Sequence, residues 1–494
     1  MRQFALAMKI LMVSSELAPF SKVGGLADMV ASLSKEMANS KNEVKIITPL
    51  YSSIKNKDKF EEAMPVLSVH MGLGIEEYCK VWKTSLGKAE VYFLEFNRYF
   101  DRPGIYNFGD VSYNDNGARY AFLCRAALDF CVANEWYPDV VHCHDWPTGY
   151  IPLYLNNNFR NFKLGRAASV FTIHNMQHQG VFDRGILEYA GLPQSVYNPY
   201  NCEHFGVVNL MKGALYNATK VSTVSPTYAE EIQTPQFGCG LDGIVRFKSA
   251  DIVGVLNGID IDEWNPEKDK FIPAKFSAAD LSGKAECKKA LQKKMGLAQD
   301  SQVPVFGVVS RLFDQKGLDL LANIGDALMD NMKIQIVLLG SGDRNLENAF
   351  NDLAARHPGK MGVYIGYNNE LSHLIEAGSD FFLMPSRFEP CGLNQMYSMR
   401  YGTLPLVRAT GGLSDTVENY SQKDRTGCGF SFMEATPWAL YNTIDWAVAT
   451  WYDRKPDYLL LQQNAMKKDF SWSKSATEYA NIYKWAVAER AKGF

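Results

Sequence analysis

Short apolar runs and helical stripes alternate along this chain. Residues 9–15 (KILMVSS) form an apolar run of buried-strand type. A loop with Pro19, Gly24 and Gly25 follows, and Leu26, Met29, Val30, Leu33 and Met37 then recur at helical spacing over 26–38. Residues 44–49 predict a second strand. Residues 77–96 predict a hairpin, because two β-rich runs flank Ser85-Leu86-Gly87-Lys88. A long helix is expected over 117–134, and buried strands over 139–142, 169–173, 220–224 and 252–256. Residues 257–302 break the rhythm. They are rich in Asn, Pro, Asp and Lys and contain a short charged helix at 283–295, which reads as a linker. The alternation then restarts, with strands at 304–310, 334–340, 362–366, 380–385 and 404–408. Helices lie between them at 317–330, 345–356, 369–378 and 391–401.

This pattern predicts an α/β chain of two doubly wound, Rossmann-like halves. The domains expected are 1–256, 257–470, and a final aromatic-bearing helix over 471–494 that packs back on the first. Two such halves imply a deep cleft between them, with ligands bound outside the carboxyl ends of the strands.

Composition removes several alternatives. The 494 residues carry 51 Lys plus Arg against 54 Asp plus Glu, a formal net charge of −3, which is unlike a nucleic-acid binder. The nine cysteines include no Cys-x-x-Cys pair, so a disulfide scaffold or zinc ribbon is not expected, and reduced thiols fit a cytoplasmic protein. No apolar run reaches the roughly 18 residues of a membrane span. The opening residues, Met1 to Met8, have some signal-peptide character, but Lys9 cuts the apolar stretch short, and Met8 is an alternative start.

Four groups of residues carry candidate chemistry. Lys22-Val23-Gly24-Gly25-Leu26 joins the first strand to a helix, so two glycines, a lysine and a helix N-terminus could receive a phosphate; the plainer reading is a tight turn with a solvated lysine. Arg311 and Lys316 share a loop at a strand end, where two cations would neutralise a pyrophosphate leaving group or simply face solvent. Pro385-Ser386-Arg387-Phe388-Glu389-Pro390-Cys391-Gly392-Leu393-Asn394 follows another strand. Glu389 could bond sugar hydroxyls, stabilise an oxocarbenium ion, or cap a helix that Pro390 begins; Gly411-Gly412 repeats the glycine-and-helix device. His142-Cys143-His144-Asp145-Trp146 and Phe171-Thr172-Ile173-His174-Asn175 end two strands of the first half. His142 and His144 share a strand face, yet no further metal-ligand spacing supports a metal. Substrate positioning or satisfied core histidines remain.

Taken in order, these segments closely resemble the bacterial glycogen synthase and plant starch synthase family. The resemblance rests on KVGGLADMV at 22–30, DRPGIY at 101–106, HCHDW at 142–146, FTIHNMQHQG at 171–180 and VLNGIDIDEWNP at 255–266. It continues through SRLFDQKGLDLL at 310–321, IGY at 365–367 and the long motif at 385–417, and so spans nearly the whole chain.

The resemblance implies a GT-B glycosyltransferase that moves glucose from ADP-glucose to the non-reducing end of an α-1,4-glucan with retention, without metal or other cofactor. It further implies Arg311 and Lys316 as the diphosphate clamp, with Lys22, Gly24 and Gly25 near the distal phosphate. Tyr367 would stack on the base, and Asp145, His174 and Glu389 would surround the glucosyl group. Backbone at Gly392, Leu393 and Asn394 would complete the sugar and phosphate site. Asn257 would stand at the hinge, and Tyr106 and Trp146 on the acceptor side. Retention is compatible with a front-face path in which the leaving phosphate takes the acceptor's proton. Three positions depart from common patterns: Tyr397 stands eight after Glu389 where related transferases often have a second glutamate, Pro147 follows the Asp-Trp pair, and Asn394 replaces a frequent Thr. The alternatives are a UDP-glucose-dependent retaining GT-B transferase and a catalytically silent glucan-binding paralogue. No separate starch-binding module or plastid transit peptide is visible, so a bacterial cytoplasmic enzyme is expected.

Overall fold

A computed structural model describes residues 7–109 and 111–493; most of the signal-like opening, residues 1–6, lies outside them. The chain divides into two compact units, residues 1–258 with 472–494, and residues 259–471.

The apolar runs of the first unit become strands because both sheet faces are covered: every residue of Val140–His144 and of Ala168–Ile173 is buried. Its nine-stranded sheet starts at Lys9–Val13 in the middle. One wing runs through Glu43–Pro49 and Ala89–Glu95, all parallel. It ends in the predicted hairpin, whose strand Glu76–Leu86 pairs antiparallel with Ala89–Glu95, and a further antiparallel strand, Glu61–His70. The other wing runs through Val140–His144, Ala168–Ile173, Lys220–Thr223 and Ile252–Gly254, again parallel. Strand order therefore reverses between Lys9–Val13 and Val140–His144. The edge strand Glu61–His70 was not legible in the pattern, because most of its positions are exposed, apolar Ala63 and Val66 among them, so apolar and polar residues do not alternate along it.

The second unit has a six-stranded, fully parallel sheet with the same logic. It starts at Val305–Leu312, proceeds to Gln335–Gly342 and Met361–Ile365, then returns to the other side through Phe381–Met384, Leu404–Arg408 and Phe430–Phe432. Alternate residues enter opposite cores: Phe306, Val308, Ile336 and Leu338 on one face, Val305, Val337 and Leu339 on the other. The reversal falls between Val305–Leu312 and Phe381–Met384.

Two expectations need correction. The stretch 257–302 is no linker; from Ile259 onward it is built into the second unit. Ile272, Phe276, Cys287 and Leu291 are core residues. The Trp264 indole is stacked between His373 and Tyr397, at 4.0 and 3.9 Å between ring centroids. The Lys284 ammonium donates to the Ala377 carbonyl and the Thr403 hydroxyl. Polar composition misled here because the lysine heads are buried with partners. Second, the helix expected over 391–401 begins only at Asn394 (Asn394–Arg400), so Pro390 lies in the preceding loop, outside the helix.

The C-terminal helix Trp472–Ala491 packs on the first unit through a buried polar chain. The Tyr483 hydroxyl shares a 2.7 Å hydrogen bond with His142 Nδ1, His142 Nε2 shares one of 2.6 Å with the Thr172 hydroxyl, and that hydroxyl meets Ser222 at 2.6 Å. Burial pushes the His142 imidazole down to about 3, aided by His174.

Two outcomes follow from this packing. Trp264→Ala should destabilise the protein by about 3 kcal/mol, as loss of a stacked core aromatic does; a cost within about 0.5 kcal/mol in denaturant unfolding would mean that the segment is a linker after all. His142 is neutral in the fold but free to protonate when unfolded, so the unfolded state takes up the extra proton as pH falls below about 6.5. Its contribution to stability is present above that pH and is lost on acidification toward 3. Comparing unfolding free energies at pH 7 and 5, His142→Gln should flatten the acid-side loss by up to about 1.4 kcal/mol per pH unit; an unchanged slope would contradict the neutral, buried state.

Candidate active site

Both sheets present their polar residues where strand order reverses, at the carboxyl ends of the flanking strands, as open α/β sheets do. In the second unit, the strand Val305–Leu312 delivers Arg311, and the turn after it delivers Lys316. Gly317 closes that turn with φ +63°, and a Cβ there would lie 2.1 Å from the Pro385 carbonyl oxygen, so only glycine allows the turn to press against the neighbouring strand end. The Arg387 amide donates to Gln315 O at 2.9 Å, and its guanidinium grips Asp319 through two bonds of 2.6 and 2.7 Å. Arg387 thus ties the two loops together.

This bracing brings Glu389 onto Lys316. The ammonium donates to Glu389 Oε2 at 2.6 Å, and the Ser386 hydroxyl donates to the same oxygen at 3.0 Å. Glu389 is 6% exposed. Arg311, Lys316, Glu389, Gly392, Leu393 and Asn394 all line one cavity of about 170 Å³, and Asn394 is oriented by donating its side-chain amide to Val309 O at 3.0 Å. Gly411 and Gly412 do not form an open anion loop. The Gly412 amide donates to the carbonyls of Glu389 and Pro390, and a Cβ on Gly411 would lie 2.1 Å from Glu389 O, so the pair braces the glutamate's loop from behind. Tyr367 follows the strand Met361–Ile365, is 86% exposed, and does not line this cavity.

In the first unit, Asp145 and His174 end adjacent strands. Asp145 adopts φ +55° and ψ −178°, a conformation almost confined to glycine and costing about 1–3 kcal/mol. Its surroundings hold it there: Asp145 Oδ1 accepts the His174 amide at 2.7 Å, and the Asp145 amide donates to Thr172 O at 3.0 Å. Burial pushes the Asp145 carboxyl up to about 8 despite the amides of His174 and Asn175. Burial also pushes the His174 imidazole down to about 3, and its Nε2 shares a 3.2 Å hydrogen bond with Nδ1 of His144. A protonated carboxyl and neutral imidazoles make a polar lining with little charge, suited to hydroxyl groups. His142 and His144 do share a face, with ring centroids 4.2 Å apart, but His142 faces Thr172 and Tyr483. Among the described residues, no group of three or more His, Cys, Asp or Glu could hold a metal ion.

The remaining candidates of this unit are placed as follows. Lys22 pairs with Asp28 on the helix Gly25–Asn39, at 2.8 Å. A Cβ on Gly24 would meet nothing within 4 Å, so the protein's own packing does not call for glycine there. The amides of Val23 and Gly24, part of the expected phosphate cradle, instead donate to the Glu16 carboxylate. Tyr106 donates its hydroxyl to the same carboxylate at 2.7 Å. Trp146 packs edge-on against Tyr120, 5.2 Å between centroids, and beside Tyr106 and Phe182. Asn257 is buried just before the unit boundary, and its Oδ1 has no partner among the described residues. Glu16 escaped the sequence reading, and Ser386 was named there only as part of its motif, without a role. Each is a polar residue just past a buried strand, the one available signal, and glycines and charged pairs nearby drew attention from them.

Comparison with known proteins bears on both units. Residues 9–247 match the family model described as starch synthase catalytic domain, and residues 291–458 match glycosyl transferases group 1. The chain is 49% identical over 487 residues to glycogen synthase 1 of Geobacter sulfurreducens, covering 98% of this chain and 97% of that one. It is 43% identical over 491 residues to the glycogen synthase of Treponema denticola, covering 98% and 99%. The catalytic domain of starch synthase IV from Arabidopsis thaliana, solved bound to ADP and acarbose, superposes with a TM-score of 0.90 at 33% identity, covering 98% of this chain and all of that one. Sucrose-phosphate synthase from Thermosynechococcus elongatus, at 16% identity and TM-score 0.60, shares the fold. With two Rossmann-like parallel sheets of the GT-B type and full-length identity at this level, the chain belongs to the glycogen and starch synthase family of glycosyltransferases.

Proposed function

We propose that this protein is a retaining glucosyltransferase that extends an α-1,4-glucan from ADP-glucose, with the second unit binding the nucleotide sugar and the first serving acceptor and glucosyl group. The observation that carries the reading is the single cavity lined by Arg311, Lys316, Glu389 and Asn394 at the second sheet's reversal point. The family's glycogen synthase names and the starch synthase solved with ADP and acarbose support the donor and acceptor classes.

In this reading the donor's diphosphate takes the Lys316 ammonium and the Arg311 guanidinium as partners. Arg311 is exposed; its guanidinium lies over the Phe313 ring at 5.7 Å and makes no hydrogen bond or ion pair among the described residues, so its charge can meet a phosphate. As the glycosidic C–O bond breaks, negative charge grows on the leaving diphosphate, and it is met by the Arg311 guanidinium and by the Lys316 ammonium, whose turn Gly317 and Arg387 hold in place. Glu389, freed in part from Lys316 by the competing phosphate, holds glucosyl hydroxyls. Asp145 and His174 offer uncharged donors and acceptors to sugar hydroxyls. Tyr367 stacks on the base; its near-complete exposure leaves both ring faces open. Tyr106 and Trp146 border the acceptor region. Lys22 and the open surface at Gly24 and Gly25 meet the distal phosphate, and Asn257 assists close to the unit boundary. In this reading the chemistry is leaving-group stabilisation by Arg311 and Lys316. All nine cysteines are free thiols, which supports the cytoplasm as its compartment. No described helix is long and apolar enough to cross a membrane.

The test is parallel transfer of labelled glucose from ADP-glucose and UDP-glucose to glycogen, with a chelator present. Strong incorporation from ADP-glucose, insensitive to chelator, is expected. A preference for UDP-glucose would overturn the donor, and no incorporation from either would point to a silent glucan-binding protein. Lys316→Ala and Glu389→Ala should each lower turnover about 100- to 1,000-fold, the usual cost of removing one transition-state contact, while circular dichroism stays native. Wild-type turnover in either variant would sink the assignment of this cavity.

A further inference from the structure

Glu16 lies just past the first strand, in the segment Ser14-Ser15-Glu16, and is 3% exposed. It is a buried carboxylate with no ion pair among the described residues. Its partners are all hydrogen-bond donors. Oε2 accepts the amides of Val23 at 2.6 Å and Gly24 at 3.1 Å, and Oε1 accepts the Tyr106 hydroxyl at 2.7 Å. The Tyr106 oxygen in turn lies 2.8 Å from the Ser15 hydroxyl. The Glu16 backbone is pinned as well, its amide donating to Ser14 Oγ at 3.1 Å and its carbonyl accepting from that hydroxyl at 2.7 Å.

The position of these bonds gives them meaning. The helix Gly25–Asn39 starts without a side-chain cap, because Gly24 has none to offer. Glu16, eight residues upstream of Gly24, places a carboxylate near the positive end of the helix dipole but takes the amides just before the helix, Val23 and Gly24, and leaves those from Gly25 onward unbonded by it. Burying a carboxylate without a cation is costly unless every lone pair is used. A plain turn would need no such group. What the arrangement achieves is a fixed conformation for a loop whose two glycines would otherwise leave it loose.

We infer that Glu16 is a positioning residue for donor binding: its carboxylate holds the loop of residues 22–25, and through it Lys22 and the Gly25 helix start, in the geometry that receives the donor's distal phosphate. This rests on the proposal above that the loop serves the donor. It also reassigns the cradle. The Val23 and Gly24 amides are anchors, and the ligand-facing groups are the Lys22 ammonium and the helix amides from Gly25 onward. Tyr106 belongs to the anchor as well, and its 2.8 Å contact with the Ser15 hydroxyl holds it in place when the carboxylate is removed.

Four variants separate the possibilities. In Glu16→Ala, hydrogen exchange of the Val23 and Gly24 amides in the ligand-free protein should accelerate about tenfold or more, since each loses a charged acceptor. The KM for ADP-glucose should rise about tenfold or more, with the KM for glycogen near that of the wild type. Glu16→Asp, one methylene short of the amides, should behave like alanine although it keeps the charge. Glu16→Gln can still offer a carbonyl to both amides and an N–H to Tyr106, and should recover most of both effects. Unchanged exchange in the alanine and aspartate variants, or donor and acceptor KM rising together in step with a lowered unfolding midpoint, would overturn the inference and leave Glu16 merely structural. Lys22→Ala marks the underlying reading. If it raises the donor KM and Glu16→Ala does not, Glu16's role alone fails. If Lys22→Ala leaves the donor KM unchanged, the loop's role in donor binding fails, and the inference with it.

Discussion

A parallel strand buried on both faces can offer polar chemistry only where it ends. Along its length, one set of side chains enters each core and the backbone is spent on the ladder. Past the carboxyl end the chain must turn toward a helix, and where neighbouring strands lead away in opposite directions the turns leave room between them. Both sheets here obey that constraint. Ser14 to Gly25 and His144 to His174 gather around one reversal, Arg311 to Gly317 and Pro385 to Asn394 around the other. Residues that are far apart in sequence, such as Lys316 and Glu389, meet at 2.6 Å because the strands before them are paired neighbours.

The two clusters differ in electrostatic character, and burial is the cause. In the second unit a lysine and a glutamate neutralise one another at the cavity wall while a guanidinium stands free. Around Asp145 in the first unit burial is deeper, and the groups beside it shed their charges: His142 and His174 are held neutral and Asp145 keeps its proton. A surface of that kind distinguishes hydroxyl patterns by hydrogen-bond geometry, while charge has little to act on. The positive-φ backbone at Asp145 fits the same picture, since local strain is tolerated where neighbouring bonds over-determine the conformation.

Much of this was legible in the sequence. The strand and helix alternation, the two-part α/β plan and the GT-B family followed from periodicity and motif order, because buried parallel strands leave uninterrupted apolar runs. The clustering of Arg311, Lys316, Glu389 and Asn394 followed from their positions at strand ends. What escaped was decided by tertiary contact. Residues 257–302 read as a linker because they are rich in Asn, Pro, Asp and Lys and carry a short charged helix, whereas the fold gives two of that helix's lysines, Lys284 and Lys288, buried carbonyl, hydroxyl and carboxylate partners. Gly411 and Gly412 look like a second anion loop, yet their role is close backbone approach to Glu389. Glu16 carries no motif of its own; its significance appears only when the loop eight residues later folds back over it.

The placement of the last helix has a consequence for how the molecule is made. The first unit is discontinuous: its sheet is complete by Gly254, but Tyr483, which closes the chain of bonds at His142, is synthesised after the entire second unit. Domains ordinarily finish folding in order of synthesis. Here the unit that starts first must end last, because residues 259–471 form a contiguous unit while the earlier sheet still lacks its covering helix. A stalled or truncated chain missing the final residues leaves a buried histidine and its apolar neighbourhood open on the first unit, so loss of a short C-terminal piece registers in the sheet that began at residue 9.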